Sequence, residues 1–87
     1  MPYIRPELRP EYDPEIDQLI LRLQDHGYNP GDLNYVLTRI AQGFARRHRS
    51  YGTFNEVMGV FSCVAQEFYR RVVVPYENEK IGEHGDV

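Results

Sequence analysis

FYRRVVVPYENEK, residues 68–80, decides how the second half of this chain is organised. A proline inside a helical pattern either ends the helix or distorts it. Ending it calls for stop chemistry, and Arg71-Val72-Val73-Val74 contains no Gly, Asn, Asp or Ser. A new helix starting at Pro75 would take Val74 as its N-cap, and valine is a poor cap. The apolar pattern meanwhile passes through the proline from Val72 to Tyr76, and Glu77, Glu79 and Lys80 are good helix formers. The stretch therefore predicts one long C-terminal helix, kinked at Pro75 and running to about Ile81. The kink costs about 3 kcal/mol. Burial of Phe68, Val72 and Tyr76, at about 1.5–3 kcal/mol each, offsets it. An edge strand through residues 72–76 is the competing reading, because valines favour strands and edges tolerate proline.

Upstream, Thr53-Phe54-Asn55-Glu56 matches a capping box, a threonine cap with glutamate three residues on. From there Phe54, Val57, Met58, Phe61, Val64, Ala65, Phe68, Val72 and Tyr76 share one helix face, and Val60 and Val74 widen it. A second helix follows the turn Asn29-Pro30-Gly31-Asp32. It carries Leu33, Val36, Leu37, Ile40, Ala41 and Phe44 at steps of three or four, and closes near Arg46-Arg47-His48-Arg49. The first helix is expected over 14–25, with Asp13 as cap, Pro14 in the first position and Ile16, Leu19, Ile20 and Leu23 as its stripe. Gly27 suits a left-handed cap at its end. Prolines at 2, 6, 10 and 14 push the residues before them away from helix, which predicts an extended arm over 1–12. Residues 82–87, GEHGDV, read as a flexible tail. The expected fold is all-α: a three-helix domain over 13–81 with a proline-rich N-terminal arm.

The length of 87 residues allows one domain, and a chain this short buries only about 60–65% of its unfolded surface. The third helix, near 42 Å by this reading, outruns the first two at about 18 and 24 Å. Its far end, with Val72, Val74 and Tyr76, needs the arm or a second copy to cover it. A homodimer through Val60, Val72, Val74 and Tyr76 is the favoured expectation. One cysteine, Cys63, rules out an intrachain disulfide, and no charged-then-apolar leader is visible. Both features point to a cytoplasmic location, and no apolar run is long enough to span a membrane.

The net charge of −3 conceals three blocks. Residues 1–35 are net −4, residues 36–74 net +4 and residues 75–87 net −3. Mutual neutralisation within the fold or a dimer explains this, and so does an anion-binding face. The basic run Arg46, Arg47 and Arg49, with Tyr51 beside it, has the composition of a weak nucleic-acid contact. The overall acidity works against that, and cations are at home at a helix C-terminus.

Chemistry is poorly signalled. His26, His48 and His84 have no second ligand at helical spacing, so no metal site or cofactor is expected. Cys63 is expected to be a small buried hydrophobe. All-α magnesium-dependent pyrophosphatases pair acidic residues three apart on facing helices. Here Glu67 stands alone, and Glu77-Asn78-Glu79 has the wrong spacing. Glu67, Tyr69, Arg70, Arg71 and Tyr76, joined by Asn34 and Tyr35, form the one candidate ligand-binding cluster. The same residues would serve equally as a cross-helix or dimer-spanning ion-pair network.

The blocks PYIRPELRPEYDPEID, GDLNYVLTRI, NEVMGVFSCVAQEFYRRVVVPYENEKI and GEHGDV resemble a family of small uncharacterised proteins seen in bacteria and their phages. The resemblance covers nearly the whole chain. It implies a stand-alone domain and carries no catalytic residue with it. The function expected is a small non-catalytic interaction or accessory protein, with an anionic- or nucleotide-like-ligand domain, possible enzymatic activity included, as the alternative.

Overall fold

The computed structural model describes residues 3–86. It is all-α, with no strand among the described residues. A short 3-10 turn, Pro6–Leu8, leads into α1, Arg9–Asp25; α2 spans Pro30–Ala45. Then comes one continuous helical rod: α3, Tyr51–Phe68, a π-helical turn, Tyr69–Val73, and α4, Val74–His84. Two compact units divide the chain within α2, at residues 40 and 41.

In the first unit the N-terminal arm is helical, not extended. Residues 1 and 2 lie outside the described residues; of the rest of the arm, only residues 3–5 are non-helical. The expected start at Pro14, with Asp13 as cap, is corrected to Arg9, and the preceding residue, Leu8, offers no side-chain cap. The reason is positional. Pro6 and Pro10 both fall within the first two residues of their helices, where the missing N–H has no intrahelical partner to lose. Only Pro14 lies inside α1, one turn further on. The C-terminus of α1 is as expected. Gly27 has φ 77°, and its N–H donates to the Gln24 carbonyl at 2.9 Å, while the Tyr28 N–H donates to Leu23 at 2.8 Å. These two bonds make a Schellman motif. Tyr28 is itself left-handed at φ 57°, a strained choice for a residue with a Cβ. The α2 helix then starts within the expected turn, because Asn29 Oδ1 accepts the Gly31 N–H at 2.7 Å and caps Pro30 onward.

In the second unit the capping box is also corrected. Ser50, not Thr53, caps α3: its backbone is extended and its Oγ accepts the Thr53 N–H at 3.1 Å. The Ser50 hydroxyl also donates to Thr53 Oγ1 at 3.2 Å, and Thr53 is the one buried polar residue among those described. Glu56 is thereby released for a different partner.

The rod from Tyr51 to His84 is 34 residues long, or about 51 Å. The helix does run through Pro75, as the sequence implies, and the distortion takes a specific form. A proline ring clashes with the carbonyl four residues back, here that of Arg71. The π turn lies over this segment: the Val74 N–H reaches back five residues to the Tyr69 carbonyl. Each π bond encloses one extra residue, so the turn widens ahead of the ring. The tail is corrected too: α4 continues through Gly82 to His84, and Gly85, at φ 83°, ends it with its N–H on Ile81 at 2.7 Å. Residue 87 lies outside the described residues. No helix among the described residues is long and apolar enough to cross a membrane.

Candidate functional site

The π turn sets out the charged side chains of the second unit. Residues three and four apart on a helix are surface neighbours, so Glu67 meets both arginines of the turn. Arg70 donates to Glu67 Oε1 from Nη2 at 2.6 Å and from Nε at 3.1 Å, and Arg71 Nε donates to Oε2 at 2.7 Å. One carboxylate, three-quarters shielded, thus bridges two guanidiniums. The Tyr69 hydroxyl donates to Glu77 Oε1 at 3.0 Å, spanning eight residues across the turn. That bond, and secondarily the Glu77 charge, with a smaller contribution from desolvation, raises the Tyr69 pKa above its ordinary 10.0. Beyond Pro75, Lys80 sits over the Tyr76 ring at 5.4 Å and donates to Glu83 at 3.0 Å.

The candidate ligand cluster therefore assembles around Glu67, Tyr69, Arg70 and Arg71, but its cations already hold a carboxylate. An anion would have to compete with Glu67 for both arginines. The two α2 members have partners in their own helix. Asn34 Oδ1 accepts from the Thr38 hydroxyl at 3.3 Å, and the Tyr35 hydroxyl accepts from Arg39 Nη1 at 2.8 Å.

The basic run divides by role. Arg47 Nη2 donates to Glu56 Oε2 at 3.0 Å, and its guanidinium lies 4.4 Å from the Phe44 ring centre. It clamps the end of α2 to the first turn and a half of α3, using ion pairing and cation–π attraction together. The side chains of Arg46 and Arg49 make no hydrogen bond or ion pair with the described residues. Tyr51 beside them is 87% exposed.

The rod's apolar face is open. Among the described residues no hydrophobic side chain is buried. Phe54, Val60, Val64, Phe68, Val72 and Tyr76 are each between 42% and 59% exposed, whereas Val74 is half-buried. The row steps 3-4-3-4 from Phe54 through Val57, Phe61 and Val64 to Phe68, then 4-4 through Val72 to Tyr76. Steps of four overshoot an α-helical turn. They occur across the segment where the π turn takes up an extra residue, so the row stays on one face. The expectation that Cys63 is buried is overturned: it is exposed. At about 100° per residue it stands some 180° from Phe54, on the opposite side of the helix.

No group of three His, Cys, Asp or Glu able to hold an ion occurs among the described residues. His26 Nδ1 lies 3.5 Å from Asp32, and His84 Nε2 lies 3.8 Å from Glu83. Both pairs are exposed, and Glu83 is shared with Lys80. Sequence reasoning missed the Arg47–Phe44–Glu56 clamp, although Phe44 and Arg47 are three apart at a helix end. It also missed the Tyr69–Glu77 bond, which depends on the π turn and has no sequence signal of its own.

The chain belongs to the family described as Domain of unknown function (DUF6899), which matches residues 1–87. No curated protein and no solved structure matches it.

Proposed function

We propose that this DUF6899 member is a small, non-catalytic cytoplasmic interaction protein that works as a homodimer through its long C-terminal rod. The observation that carries this reading is the open apolar row from Phe54 to Tyr76 on a chain with no buried hydrophobic side chain among its described residues. A row of large aliphatic and aromatic side chains left in water is unfavourable at about 25 cal/mol per Å². Patches of this kind mark interfaces. The row places seven large apolar side chains along 23 residues of helix, about 33 Å. Light scattering at micromolar concentration tests it: a dimer has twice the 10.2 kDa chain mass.

One observation favours a second reading. π turns recur at functional sites, and here the turn gathers Glu67, Arg70 and Arg71. In that reading the arginines exchange Glu67 for an anionic or nucleotide-like ligand beside Tyr76. A thermal-shift series with inorganic phosphate, nucleotides and divalent metals separates the two: a flat series removes the ligand reading and leaves the dimer intact. Weak nucleic-acid binding through Arg46 and Arg49 ranks third, and absence of any salt-dependent retardation of single- or double-stranded nucleic acid removes it.

A further inference from the structure

The two ends of the rod carry opposite net charge. At the start lie Arg46, Arg47 and Arg49, of which the side chains of Arg46 and Arg49 are without partners among the described residues. At the far end lie Glu77, Glu79, Glu83 and Asp86 against one Lys80, and Glu79 has no partner among the described residues. From Tyr51 to Glu79 the helix rises about 40 Å. That is several times the screening length of about 8–10 Å at ordinary salt. The ends of one rod therefore do not feel each other.

The acidic end is also placed against its own helix. Carboxylates destabilise a helix C-terminus, where the macrodipole is negative, and are favoured at an N-terminus. Glu77, Glu79 and Glu83 fall in the last two turns before Gly85. Their favourable neighbour is the N-terminal end of another helix, preferably one preceded by cations. The rod itself has that end.

The apolar row supplies the register. Reflected about a point between Val64 and Ala65, its middle falls on itself, Phe61 opposing Phe68 and Val57 opposing Val72, while Phe54 and Tyr76 fall one residue from the row, level with Pro75 and Thr53. The same reflection brings the start of the rod, Tyr51, level with Asn78, between Glu77 and Glu79, so the arginines that precede Tyr51 in the chain come to that end. A parallel pair in register would instead stack arginines on arginines and glutamates on glutamates, a like-charge arrangement that penalises wrong partners and orientations.

Resting on the homodimer reading above, we infer that the occupant of the row is a second copy lying antiparallel. The arginine corner of each chain then meets the glutamate-rich end of the other. The two-fold axis passes between Val64 and Ala65, both charged ends are compensated twice, and the helix dipoles oppose. The interface is isologous, as a two-fold dimer requires.

Two exposed asparagines whose side chains have no partner among the described residues, Asn55 and Asn78, provide label sites in a Cys63→Ser background. Spin labels go on Asn55→Cys and Asn78→Cys chains, and circular dichroism confirms that each variant keeps its helicity. Antiparallel rods place the two position-78 labels about 40 Å apart along the axis, and a mixed 55–78 pair only about 6 Å apart. Parallel rods reverse that order, to about 0 and 35 Å. A longer 78–78 than 55–78 distance is the expected result. The reversed order in a dimer of doubled mass overturns the antiparallel inference and leaves the dimer reading standing. A chain of single mass with no intermolecular coupling overturns both.

Discussion

The two units handle the same residue differently. In α1, Pro14 sits inside the helix just beyond its first turn, and the helix passes through without leaving regular α geometry. In the rod, Pro75 follows 24 helical residues, and a π turn precedes it. A proline near a helix start loses one bond to a carbonyl that has barely entered the helix. A proline deep in a rod must fit its ring against an established turn, and the chain widens that turn instead of breaking. The contrast shows that the second distortion is tied to something the first is not: an apolar row whose steps change from 3-4 to 4-4 where the π turn falls. Below Phe68 the row needs an ordinary helix, and above it the row needs the extra residue absorbed.

The largest effect is expected from breaking the row itself. Truncating a hot-spot aromatic costs about 2 kcal/mol or more, and a two-fold dimer carries the change twice, so Phe68→Ala raises the dimer Kd roughly a thousandfold. Cys63→Ala, on the opposite side of the same helix, leaves the Kd unchanged. Sedimentation equilibrium reads both. The proline pair follows. Pro14→Ala restores a helix bond and stabilises α1 by roughly 1–3 kcal/mol without altering the mass. Pro75→Ala also raises helix stability, but it removes the cause of the π turn and rotates Tyr76 by about 100° against the row. Melting temperature then rises while the dimer weakens about tenfold or more, an opposition that only the second proline can produce.

A smaller effect belongs to the ends. Arg46→Glu with Arg49→Glu raises the dimer Kd about tenfold at low salt, fading at high salt, and a Glu79→Arg/Glu83→Arg partner chain restores binding. Smallest is the Tyr69–Glu77 bond. The Tyr69 pKa is raised in the folded state, so its contribution is complete below the ordinary tyrosine value of 10.0 and is lost as pH rises through the raised value. In an ultraviolet titration Tyr69 ionises above the ordinary tyrosine value of 10.0, and Glu77→Gln moves it back toward that value. A Glu77→Gln chain with Tyr69 unchanged would contradict the assignment.

How much of this was legible in the sequence follows the same division. The stripes of all three helices, the left-handed Gly27 and the continuity through Pro75 could be read, because periodicity and the absence of stop residues are local signals. The start of α1 could not. The rule that proline excludes helix before it competes with the freedom of the first turn, and Pro6 and Pro10 fall within that freedom. The α3 cap was misread by three residues because Ser50 and Thr53 both fit, and only the backbone of Ser50 turns extended. The burial expected of Cys63 failed because no hydrophobic side chain among the described residues is buried, and Cys63, two residues after Phe61, also stands nearly opposite it on the helix. Among the candidate site residues, the Glu67–Arg70–Arg71 grouping was visible as helical spacing. Its pairing was legible too, because Glu67 lies three and four residues from the two arginines, whereas the Tyr69–Glu77 bond was not, since it spans a turn type that no residue announces.

The central claim is that the rod's open row is an interface between two copies of this chain. Light scattering of the purified protein at micromolar concentration tests it most directly. The account predicts a mass of about 20 kDa, twice the 10.2 kDa of one chain. A single species near 10.2 kDa would contradict it.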